Sequence, residues 1–589
     1  MTSSTRLLIL VSLILPSAAA AQATKPDPWA GLLRPTTHKP TPTTAAITVA
    51  DLRTRLFIFA DDSMAGRSAG TEGNYKGVEY IASEARRFGL QPAGQDATFF
   101  QTVHVATDVR TFSDALSITA GQTTLAPWKD FLPRYPFQAA NIGVIDGVQV
   151  IFGGNWADST TVISNAAAAG KFVVITSTAT VIGNPPGIPS RQEVVPHFSQ
   201  AAGIAVVGME AFPDSQIRQY RAPLSFRAVT GPIPSAAPYI YVTRSAAAAL
   251  LGTALENARA GTLGVTLHGS IRLDSKPGEL TFDRPLRNVV ALLPGSDPVL
   301  RNQFVVIGAH NDHIGTQSSP QAHDSVYVVN HLFRRGGADD APPQLDAAQQ
   351  TQVNGILAGV RRRSGGKSAR PDSIYNGADD DGSGSVSLLE IAEQFAAQKI
   401  KPKRSVLFVW HVAEERGLWG SEYFTDHPTV PRDSIVAELN MDMVGRGAAT
   451  DETGNSLDGK KLHGGPGYLQ AVGSRRLSTE LGDLAESINK SGKHGITFDY
   501  AMDANGHPQN IYCRSDHAEY ARYGIPIAFF TTGGHADYHQ LTDEPQYIDY
   551  NKMMQVDKFV ADLAKHVANL DHRVNVDKPK PDPKADCQQ

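Results

Sequence analysis

Three consecutive carboxylates open the part of the sequence in which residue types and spacing best suggest chemistry. Asp379, Asp380 and Asp381 stand in YNGADDDGSGSVSLLEIAEQF, and Gly-Ser-Gly and an apolar helical stripe follow them. Adjacent like charges repel, and aspartate is a poor strand former. Taken alone, the pattern favours a solvated turn that caps a helix, since Asp, Ser and Gly all suit that role. A cation site is the alternative, and it requires ligands from elsewhere in the chain.

Further ligand types follow four apolar runs of the sequence. They are His310 and Asp312 in FVVIGAHNDH, Glu414 and Glu415 in SVLFVWHVAEE, Asp442 in IVAELNMDMVG, and His535, Asp537, Tyr538 and His539 in IPIAFFTTGGHADYHQ. Each has a plainer alternative as a core histidine, a solvated helix start or a turn residue. Together, however, they repeat only carboxylate and imidazole, which is the ligand set for zinc, with carboxylates able to bridge two ions. The joint pattern therefore predicts a metal site.

The elements that must position these residues are strands. The runs NVVALLPG, QFVVIGAH, RSVLFVWHV, DSIVAELNMD and GIPIAFFTTG are too apolar for strands with one solvated face. Such runs are typical of strands buried on both faces, in a mostly parallel central sheet flanked by helices. Because ligands gather at the carboxyl ends of the strands in an open α/β sheet, the residues that follow the runs are expected to converge there.

Charge and the N-terminal residues limit the partners and the location. The 54 basic and 59 acidic residues give a net charge of -5, which favours neither a nucleic-acid binder nor a polybasic membrane protein. MTSSTRLLILVSLILPSAAAAQA has a basic residue, an apolar run and a small-residue cleavage site, and this predicts a signal peptide at 1–21. No later run is apolar for long enough to cross a membrane. We therefore expect a secreted or periplasmic protein without a membrane span.

Cysteine is scarce in the sequence. Only Cys513 and Cys587 occur, and the second lies in DKPKPDPKADCQQ, whose composition predicts a disordered tail. A structural disulfide between them is the less favoured alternative, and we expect two unpaired cysteines and a fold that depends on its core or on metal.

Five motifs resemble a known family when they are taken in order. GAHNDH, NGADDDGSG, HVAEERGLWGS, NMDMVG and DYHQLTDEP are similar to motifs of the zinc-dependent aminopeptidase and glutamate-carboxypeptidase-like metallopeptidases. MAGRSAGTEGNYKGVEYIASEARRFGLQPAG resembles the opening of that family. The β-rich residues between them resemble its inserted protease-associated domain. The resemblance implies a zinc exopeptidase-like α/β fold that carries this insert.

The resemblance also implies roles for particular residues. Five residues would hold two zinc ions, with one residue bridging them: His310, Asp380, Glu415, Asp442 and His539. Asp380 would be the bridge, His310 and Asp442 would complete one site, and Glu415 and His539 the other. Asp312 would hydrogen-bond the ring of His310, Glu414 would be the general base, and Tyr538 is a candidate to polarise the scissile carbonyl. Asp379 and Asp381 would orient the loop or cap the helix.

A domain plan follows from the composition and the resemblance. It begins with a signal peptide at 1–21 and an extended leader at 22–48. The N-terminal part of the catalytic domain at 49–114 is followed by a protease-associated domain at 115–282. The rest of the catalytic zinc peptidase domain is at 283–572, with an insertion at 316–375, and a disordered tail is at 573–589. The insertion exceeds the usual gap between the first two motifs, and we expect it to narrow the entrance to the site. Its His323 and His331 are expected at the surface.

The function predicted first is that of a secreted aminopeptidase, which hydrolyses N-terminal residues from peptides with a metal-activated water. A carboxypeptidase or glutamyl-amidase on the same scaffold is the alternative, and it would need a basic pocket, which Arg514 or the arginines of the insertion could supply. A non-catalytic receptor-like protein is a third reading. That reading predicts missing ligands, and none is missing. The sequence makes no prediction of oligomeric state.

Overall fold

The computed structural model describes residues 29–136, 141–177, 185, 187–228, 235–366 and 370–589, and the predicted signal peptide at 1–21 lies outside them. The chain divides into two compact units. The first unit combines the residues up to Thr102 with Arg284–Gln589, and the second unit is Val103–Asp283. Among the described residues, no helix combines the length and the apolar character that a membrane crossing requires.

A nine-stranded sheet forms the centre of the first unit, counted over the described residues. Eight strands lie side by side in this order: Gln91–Pro92, Arg287–Leu293, Ser405–His411, Phe304–His310, Ile435–Met441, Ile527–Thr531, Tyr468–Val472 and Thr497–Asp499. The ninth, Phe100–Thr102, pairs with Arg287–Leu293. The four strands from Ser405–His411 to Ile527–Thr531 are parallel neighbours, as predicted. The mixed α/β fold is thus confirmed.

The edges of this sheet differ from the prediction. Arg287–Leu293, the NVVALLPG run, is antiparallel to Ser405–His411, and Tyr468–Val472 is antiparallel to Ile527–Thr531. The connection from Arg287–Leu293 to the next strand holds only the short turn Leu300–Asn302. Consecutive strands that run parallel in one sheet need a longer crossover connection, whereas strands that run antiparallel do not. The sheet is therefore parallel at its centre and antiparallel at the pairings on either side of these four strands, while Tyr468–Val472 and Thr497–Asp499 at one edge are parallel to each other.

Alternate residues of the central strands enter two different apolar clusters. In Ser405–His411, Val406, Phe408 and Trp410 pack into one cluster, and Leu407 and Val409 pack into the other. Because successive side chains of a strand point to opposite faces, a strand covered on both sides must be apolar throughout. This explains the uninterrupted apolar runs of the sequence.

Helices cover both faces of the sheet. The helices that contribute to the larger cluster are Val49–Phe59, Glu72–Arg87, Gly382–Ala397, Thr479–Gly492 and Tyr550–Asn569, and those that contribute to the other are Trp419–Asp426 and His517–Ala521. On Glu72–Arg87, the apolar stripe of Val78, Ile81, Ala82 and Ala85 is buried. The helix that follows the three aspartates, Gly382–Ala397, is buried along almost its whole length.

The insertion at 316–375 contains regular structure. Strands Gly315–Ala322 and Pro371–Tyr375 pair antiparallel at its base, and helices His323–Phe333 and Ala347–Arg363 lie between them. The expectation of surface histidines is wrong for His323, which is only 2% exposed and stacks on Tyr547. His331 is half-buried, because it stacks on Tyr327 and its Nε2 lies 3.2 Å from Asp537 Oδ2.

The second unit contains its own sheet of eight strands among the described residues. Their order is Thr123–Leu125, Ser117–Ala120, Leu263–Ser270, Ile145–Asn155, Phe172–Thr176, Gly203–Val207, Tyr239–Val242 and Phe131–Arg134. Further strands of the unit are Ala106–Phe112, Asn141–Ile142, Leu224–Arg227, Ser235–Ala236 and Leu273–Glu279, and its helices are Asn165–Ala168, Arg191–His197, Asp214–Arg221 and Arg244–Leu251. The unit starts at Val103, earlier than the predicted residue 115, because Ala106–Phe112 pairs with Leu273–Glu279. Its identity as a protease-associated domain stays a prediction.

The C-terminal residues 573–589 form no helix or strand, but they are attached to the first unit. Val574 is buried, and the side chain of Gln589 accepts a hydrogen bond from Tyr512 N and donates to the main-chain oxygen of Ala504. Cys587 forms a disulfide bond with Cys513. The prediction of a free tail with unpaired cysteines is therefore wrong, since composition could not show that the tail returns to the loop that contains Cys513.

Candidate metal centre

The carboxyl ends of the four parallel strands bring the predicted residues together. His310 is the last residue of Phe304–His310, and Asp442 directly follows Ile435–Met441. Glu414 and Glu415 come shortly after Ser405–His411, and His539 lies in the loop that follows Ile527–Thr531. Because the strands are parallel, these ends lie at the same edge of the sheet.

The first group of ligand atoms contains His310, Asp380 and Asp442. Nε2 of His310 lies 3.1 Å from Oδ1 of Asp380 and 3.7 Å from Oδ1 of Asp442. Ligand atoms of all three residues lie within 4.8 Å of one another. We call this group position 1.

The second group shares Asp380 with the first. Nε2 of His539 lies 2.9 Å from Oδ2 of Asp380 and 3.0 Å from Oε2 of Glu415. One oxygen of Asp380 thus faces each group, which is the arrangement that the family resemblance implied for a bridging carboxylate. We call this group position 2.

The position 2 group also contains His313, which was not predicted from the sequence. Nδ1 of His313 lies 2.7 Å from Oε1 of Glu415 and 3.7 Å from Oδ2 of Asp380. His313 is the second histidine of the HNDH segment, three residues beyond His310. The signal that could have found it is this repeated imidazole next to a predicted ligand.

The residues present fit zinc. Several of their polar atoms are buried and make no hydrogen bond, namely Oδ1 of Asp442, Oε1 of Glu415 and both ring nitrogens of His313. Buried polar atoms normally have partners, so a cluster of such atoms indicates a missing one. Imidazole nitrogen and carboxylate oxygen are ligands that zinc accepts. The position 1 and position 2 residues could therefore hold zinc.

The neighbours of Asp380 hold its loop in place. Asp381 accepts hydrogen bonds from Gly384 N and His310 N, so that it caps the following helix and ties the loop to a strand end. Oδ1 of Asp379 accepts from Gly445 N. The carboxylate of Asp543 accepts from the main-chain nitrogens of Asp379 and Asp380. The aspartate triplet is therefore one candidate ligand between two structural residues.

Electrostatics differ sharply within the site. Burial opposes ionisation of Asp380, but the hydrogen bonds from His310 and His539 outweigh it and hold the pKa of Asp380 well below its usual range. Burial raises the pKa of Glu414 well above its usual range; His310 opposes this rise, and Glu415 adds to it. The carboxylate of Asp380 is thus kept charged, whereas that of Glu414 takes up a proton more readily than usual.

Asp312 contacts His310 in a way that differs from the expectation. Nδ1 of His310 lies 3.2 Å from the main-chain oxygen of Asp312 and 3.7 Å from its Oδ1. The carboxylate of Asp312 instead accepts a hydrogen bond of 3.1 Å from Glu414 N. Asp312 thereby fixes the start of the Glu414 segment, and its main chain orients the His310 ring.

Tyr538 lies beside position 2, in contact with an arginine. Its hydroxyl oxygen is 3.1 Å from Nη2 of Arg514, and the same nitrogen is 3.4 Å from Oδ1 of Asp339. Asp339 belongs to the insertion. The insertion also bonds the loop of Tyr538 directly, since Ala338 N donates to the main-chain oxygen of Tyr538 at 3.0 Å. The insertion therefore helps to position Tyr538.

A pocket of about 80 Å³ opens next to the two positions. Its lining includes Asp380, Glu414, Glu415, Asp442 and His539. The apolar part of its wall consists of Met443, Met502, Ile511 and Phe529, and Asp339 and Arg514 also line it. An apolar side chain could occupy the pocket while a polar group reaches the ligand residues.

His323, Asp372 and Glu544 form a third group of close ligand atoms. An arginine already pairs with its carboxylates, because Nη2 of Arg370 contacts Glu544 and lies 3.4 Å from Oδ2 of Asp372. This group links the base of the insertion to the residues that follow His539. Its cation is the guanidinium of Arg370.

The fold and the site define the first unit as an α/β domain with a candidate metal centre at the carboxyl edge of its sheet. Comparison with protein families then places the sequence. Residues 363–564 match the model of Peptidase family M28. Within these residues the sequence is similar to that family, and the predicted resemblance to a metallopeptidase is confirmed.

Named relatives match a part of the chain. Leucine aminopeptidase 1 of Ajellomyces dermatitidis is 31% identical over 205 residues, which cover 33% of this chain and 48% of that protein. Leucine aminopeptidase 1 of Coccidioides posadasii is 34% identical over 160 residues, which cover 26% of this chain and 36% of that protein. The chain spans about half the length, or less, of the curated relatives it matches.

Solved structures are similar over most of the chain at low identity. The aminopeptidase from Aneurinibacillus sp. strain AM-1 is 16% identical, with a TM-score of 0.42, and covers 91% of this chain and 97% of its own. BSAP, a zinc aminopeptidase from Bacillus subtilis, is 13% identical, with a TM-score of 0.42, and covers 89% of this chain and 96% of its own.

Proposed function

We propose that this protein is a secreted or periplasmic aminopeptidase with two zinc ions, which removes N-terminal residues from peptides. The observation that carries the proposal is the pair of ligand groups that share Asp380, with Glu414 beside them. Position 1 and position 2 would each hold one ion. The names of the partial relatives, leucine aminopeptidases, support the same activity.

Glu414 would be the residue that moves the proton. When bound, zinc supplies Lewis acidity, which polarises a scissile carbonyl and acidifies water. The Glu414 carboxylate lies within 3.9 Å of His310 Nε2, and burial raises its pKa. Glu414 would accept a proton from the attacking water and deliver it to the leaving amine. The Tyr538 hydroxyl, held by Arg514, would orient the carbonyl oxygen by donating a hydrogen bond.

The charge around the pocket supports an aminopeptidase over a carboxypeptidase. Five carboxylates line the pocket, namely Asp339, Asp380, Glu414, Glu415 and Asp442, and Arg514 is the only arginine or lysine among its lining residues. Arg514 already contacts Asp339 and Tyr538. Bound zinc ions would offset the charges of Asp380, Glu415 and Asp442, so the argument depends on Arg514: because it is already paired, the lining residues offer no free cation for a substrate carboxylate. The apolar wall suits an apolar N-terminal side chain.

Peptides with blocked ends test the direction of cleavage. Leucine-first peptides with a free amine should be hydrolysed, and their N-acetylated forms should not. Amidation of the C-terminus should have little effect. Chelator should stop the reaction, and zinc should restore it. Cleavage of N-acetylated peptides that requires a free C-terminus would favour the carboxypeptidase instead.

The location is tested separately. The signal sequence at 1–21 supports export, and we expect the mature protein to begin near the Ala18–Ala21 run. N-terminal sequencing of the protein recovered outside the cytoplasm checks this. A full-length N-terminus on protein retained in the cytoplasm would contradict it.

A further inference from the structure

His313 occupies position 2 without the partners that a buried histidine normally has. It is 1% exposed, and its main-chain nitrogen donates to the main-chain oxygen of Arg67. Neither of its ring nitrogens makes a hydrogen bond. A core histidine usually satisfies at least one ring nitrogen, so the imidazole of His313 needs another explanation.

The contact of His313 with Glu415 joins two residues of the position 2 group. Nδ1 of His313 and Oε1 of Glu415 are 2.7 Å apart, but their alignment does not make a hydrogen bond, and Oε1 also has no other hydrogen-bond partner. Ligand atoms of His313, Asp380, Glu415 and His539 all lie within 4.8 Å of one another, so one ion could contact all four residues. The ring of His539, which is also in position 2, lies 5.4 Å from the His313 ring.

The aspartate loop is shaped to admit the His313 ring. Gly377, two residues before Asp379, has a φ of 56°. A Cβ atom at Gly377 would lie 2.5 Å from Cγ of His313. The loop that presents Asp380 therefore packs directly on this imidazole and holds it beside the shared carboxylate.

We propose that His313 is a direct metal ligand at position 2, together with Asp380, Glu415 and His539. This inference rests on the proposed two-metal function and extends it. Position 1 offers three protein residues, His310, Asp380 and Asp442. Four protein ligands are typical of closed zinc sites, whereas three leave a coordination site open. Position 2 thus holds its ion more tightly, and position 1 keeps the open coordination that a substrate needs.

Titration of the metal-free protein with cobalt(II) tests this assignment. Four forms are compared: wild type, His313→Phe, His313→Cys and the control His463→Cys. Phenylalanine keeps a ring against Gly377 and removes both nitrogens. His463 is exposed on the strand Lys461–His463, away from any ligand group among the described residues. Calorimetry gives the number and affinity of bound ions, and absorption spectra report on the ligands.

We expect wild type to bind two ions and His313→Phe to bind the tighter ion at least about tenfold more weakly, since even outer-shell changes cost about 10- to 100-fold. His313→Cys should give a thiolate-to-cobalt charge-transfer band in the near ultraviolet. His463→Cys should match wild type in affinity and show no such band. A purely structural role for His313 cannot produce the band, so His313→Cys decides the question even if the phenylalanine variant does not fold.

The outcomes separate this inference from the proposed function. Wild-type affinity in His313→Phe, or weaker binding without a band in His313→Cys, overturns the ligand assignment and leaves the two-metal proposal intact. If wild type binds one ion, His313→Phe weakens that binding and His313→Cys shows the band, the ligand assignment is supported and the second ion of the proposed function is not. A wild type that binds no ion overturns both.

Discussion

The two units contain similar sheets with different contents at the strand ends. Each has four consecutive parallel strands at its centre, Ser405–His411 to Ile527–Thr531 in the first unit and Ile145–Asn155 to Tyr239–Val242 in the second. Each sheet packs between two apolar clusters. All groups of close metal-ligand atoms among the described residues lie in the first unit. A parallel sheet therefore offers a place for a site but does not create one.

The residues after the strands of the second unit serve the fold instead. Thr243, which follows Tyr239–Val242, caps the helix Arg244–Leu251 with its side chain. Glu210, which comes shortly after Gly203–Val207, accepts a hydrogen bond from Arg244 N. In the first unit the corresponding carboxylates point at one another and at imidazoles. Buried carboxylates this close repel one another, and bound cations would relieve that repulsion.

The largest expected effect follows from removing the shared carboxylate. Asp380→Ala should abolish peptide hydrolysis and lose both ions, because Asp380 contributes an oxygen to each position. Metal analysis after dialysis and a peptide assay check both outcomes. Asp158→Ala, in the turn after Ile145–Asn155 of the second unit, should keep activity and metal. If Asp380→Ala retained two ions, Asp380 would not be the shared ligand, and the comparison between the units would lose its basis.

The next effect separates proton transfer from metal binding. Glu414→Gln keeps the shape of the side chain but removes the proton acceptor, so kcat should fall by about 10²–10⁴-fold with zinc content unchanged. Glu415→Gln should instead lose metal from position 2. The corresponding change in the second unit, Glu210→Gln, should leave kcat unchanged. Equal metal loss in Glu414→Gln and Glu415→Gln would show that their roles are wrongly assigned.

Periodicity and residue type made much of this fold predictable. The apolar runs identified the four parallel strands because a strand buried on both faces leaves a continuous signal. The same reasoning placed His310 and Asp442 at strand ends, where the side chains must converge. The antiparallel edges were not predictable from the runs, since a buried strand is apolar whichever direction it has.

The misses have a common physical cause, which is that irregular segments do not fix the direction of a side chain. His313 follows the strand end, where the alternation of a strand no longer applies, and the sequence could not show that its ring turns back toward Glu415. The same holds for the insertion, whose polar composition hid the burial of His323. The Cys513–Cys587 bond depends on the path of a tail without secondary structure.

Shortening the insertion should have a smaller effect than losing Glu414. Replacing 317–373 with a short Gly/Ser linker removes the bonds of Ala338 to Tyr538 and of Arg334 to Gln540. We expect full zinc content, a decrease in kcat/KM on dipeptides of up to about 10²-fold because Tyr538 is less well positioned, and a smaller decrease on longer peptides. Unchanged kinetics on both substrate lengths would show that the insertion is an uninvolved surface element.

The disulfide bond should stabilise the first unit and not the second. Cys587→Ser should lower the free energy of unfolding by about 2–4 kcal/mol, because the bond closes a long loop within the first unit. Hydrogen exchange should increase in 502–515, which Gln589 and Cys587 hold, and should not change in Val103–Asp283. Reductant should reproduce the effect in wild type and have none in the variant. A wild type whose stability does not respond to reductant would contradict the prediction.

The smallest expected effect concerns the charge at the pocket mouth. Asp339 lies 3.4 Å from Arg514, and both side chains are about one-third exposed, so their attraction is weak. Asp339→Asn should leave Arg514 freer to pair with a substrate carboxylate. We expect kcat/KM to rise by about two- to fivefold for dipeptides with a free C-terminus relative to the amidated dipeptides. Asp340→Asn is the matched control, because Asp340 lies next in the chain, accepts from Gly336 N and does not line the pocket. The same ratio in wild type, Asp339→Asn and Asp340→Asn would mean that the insertion acts on the site by positioning Tyr538 and not by its charge.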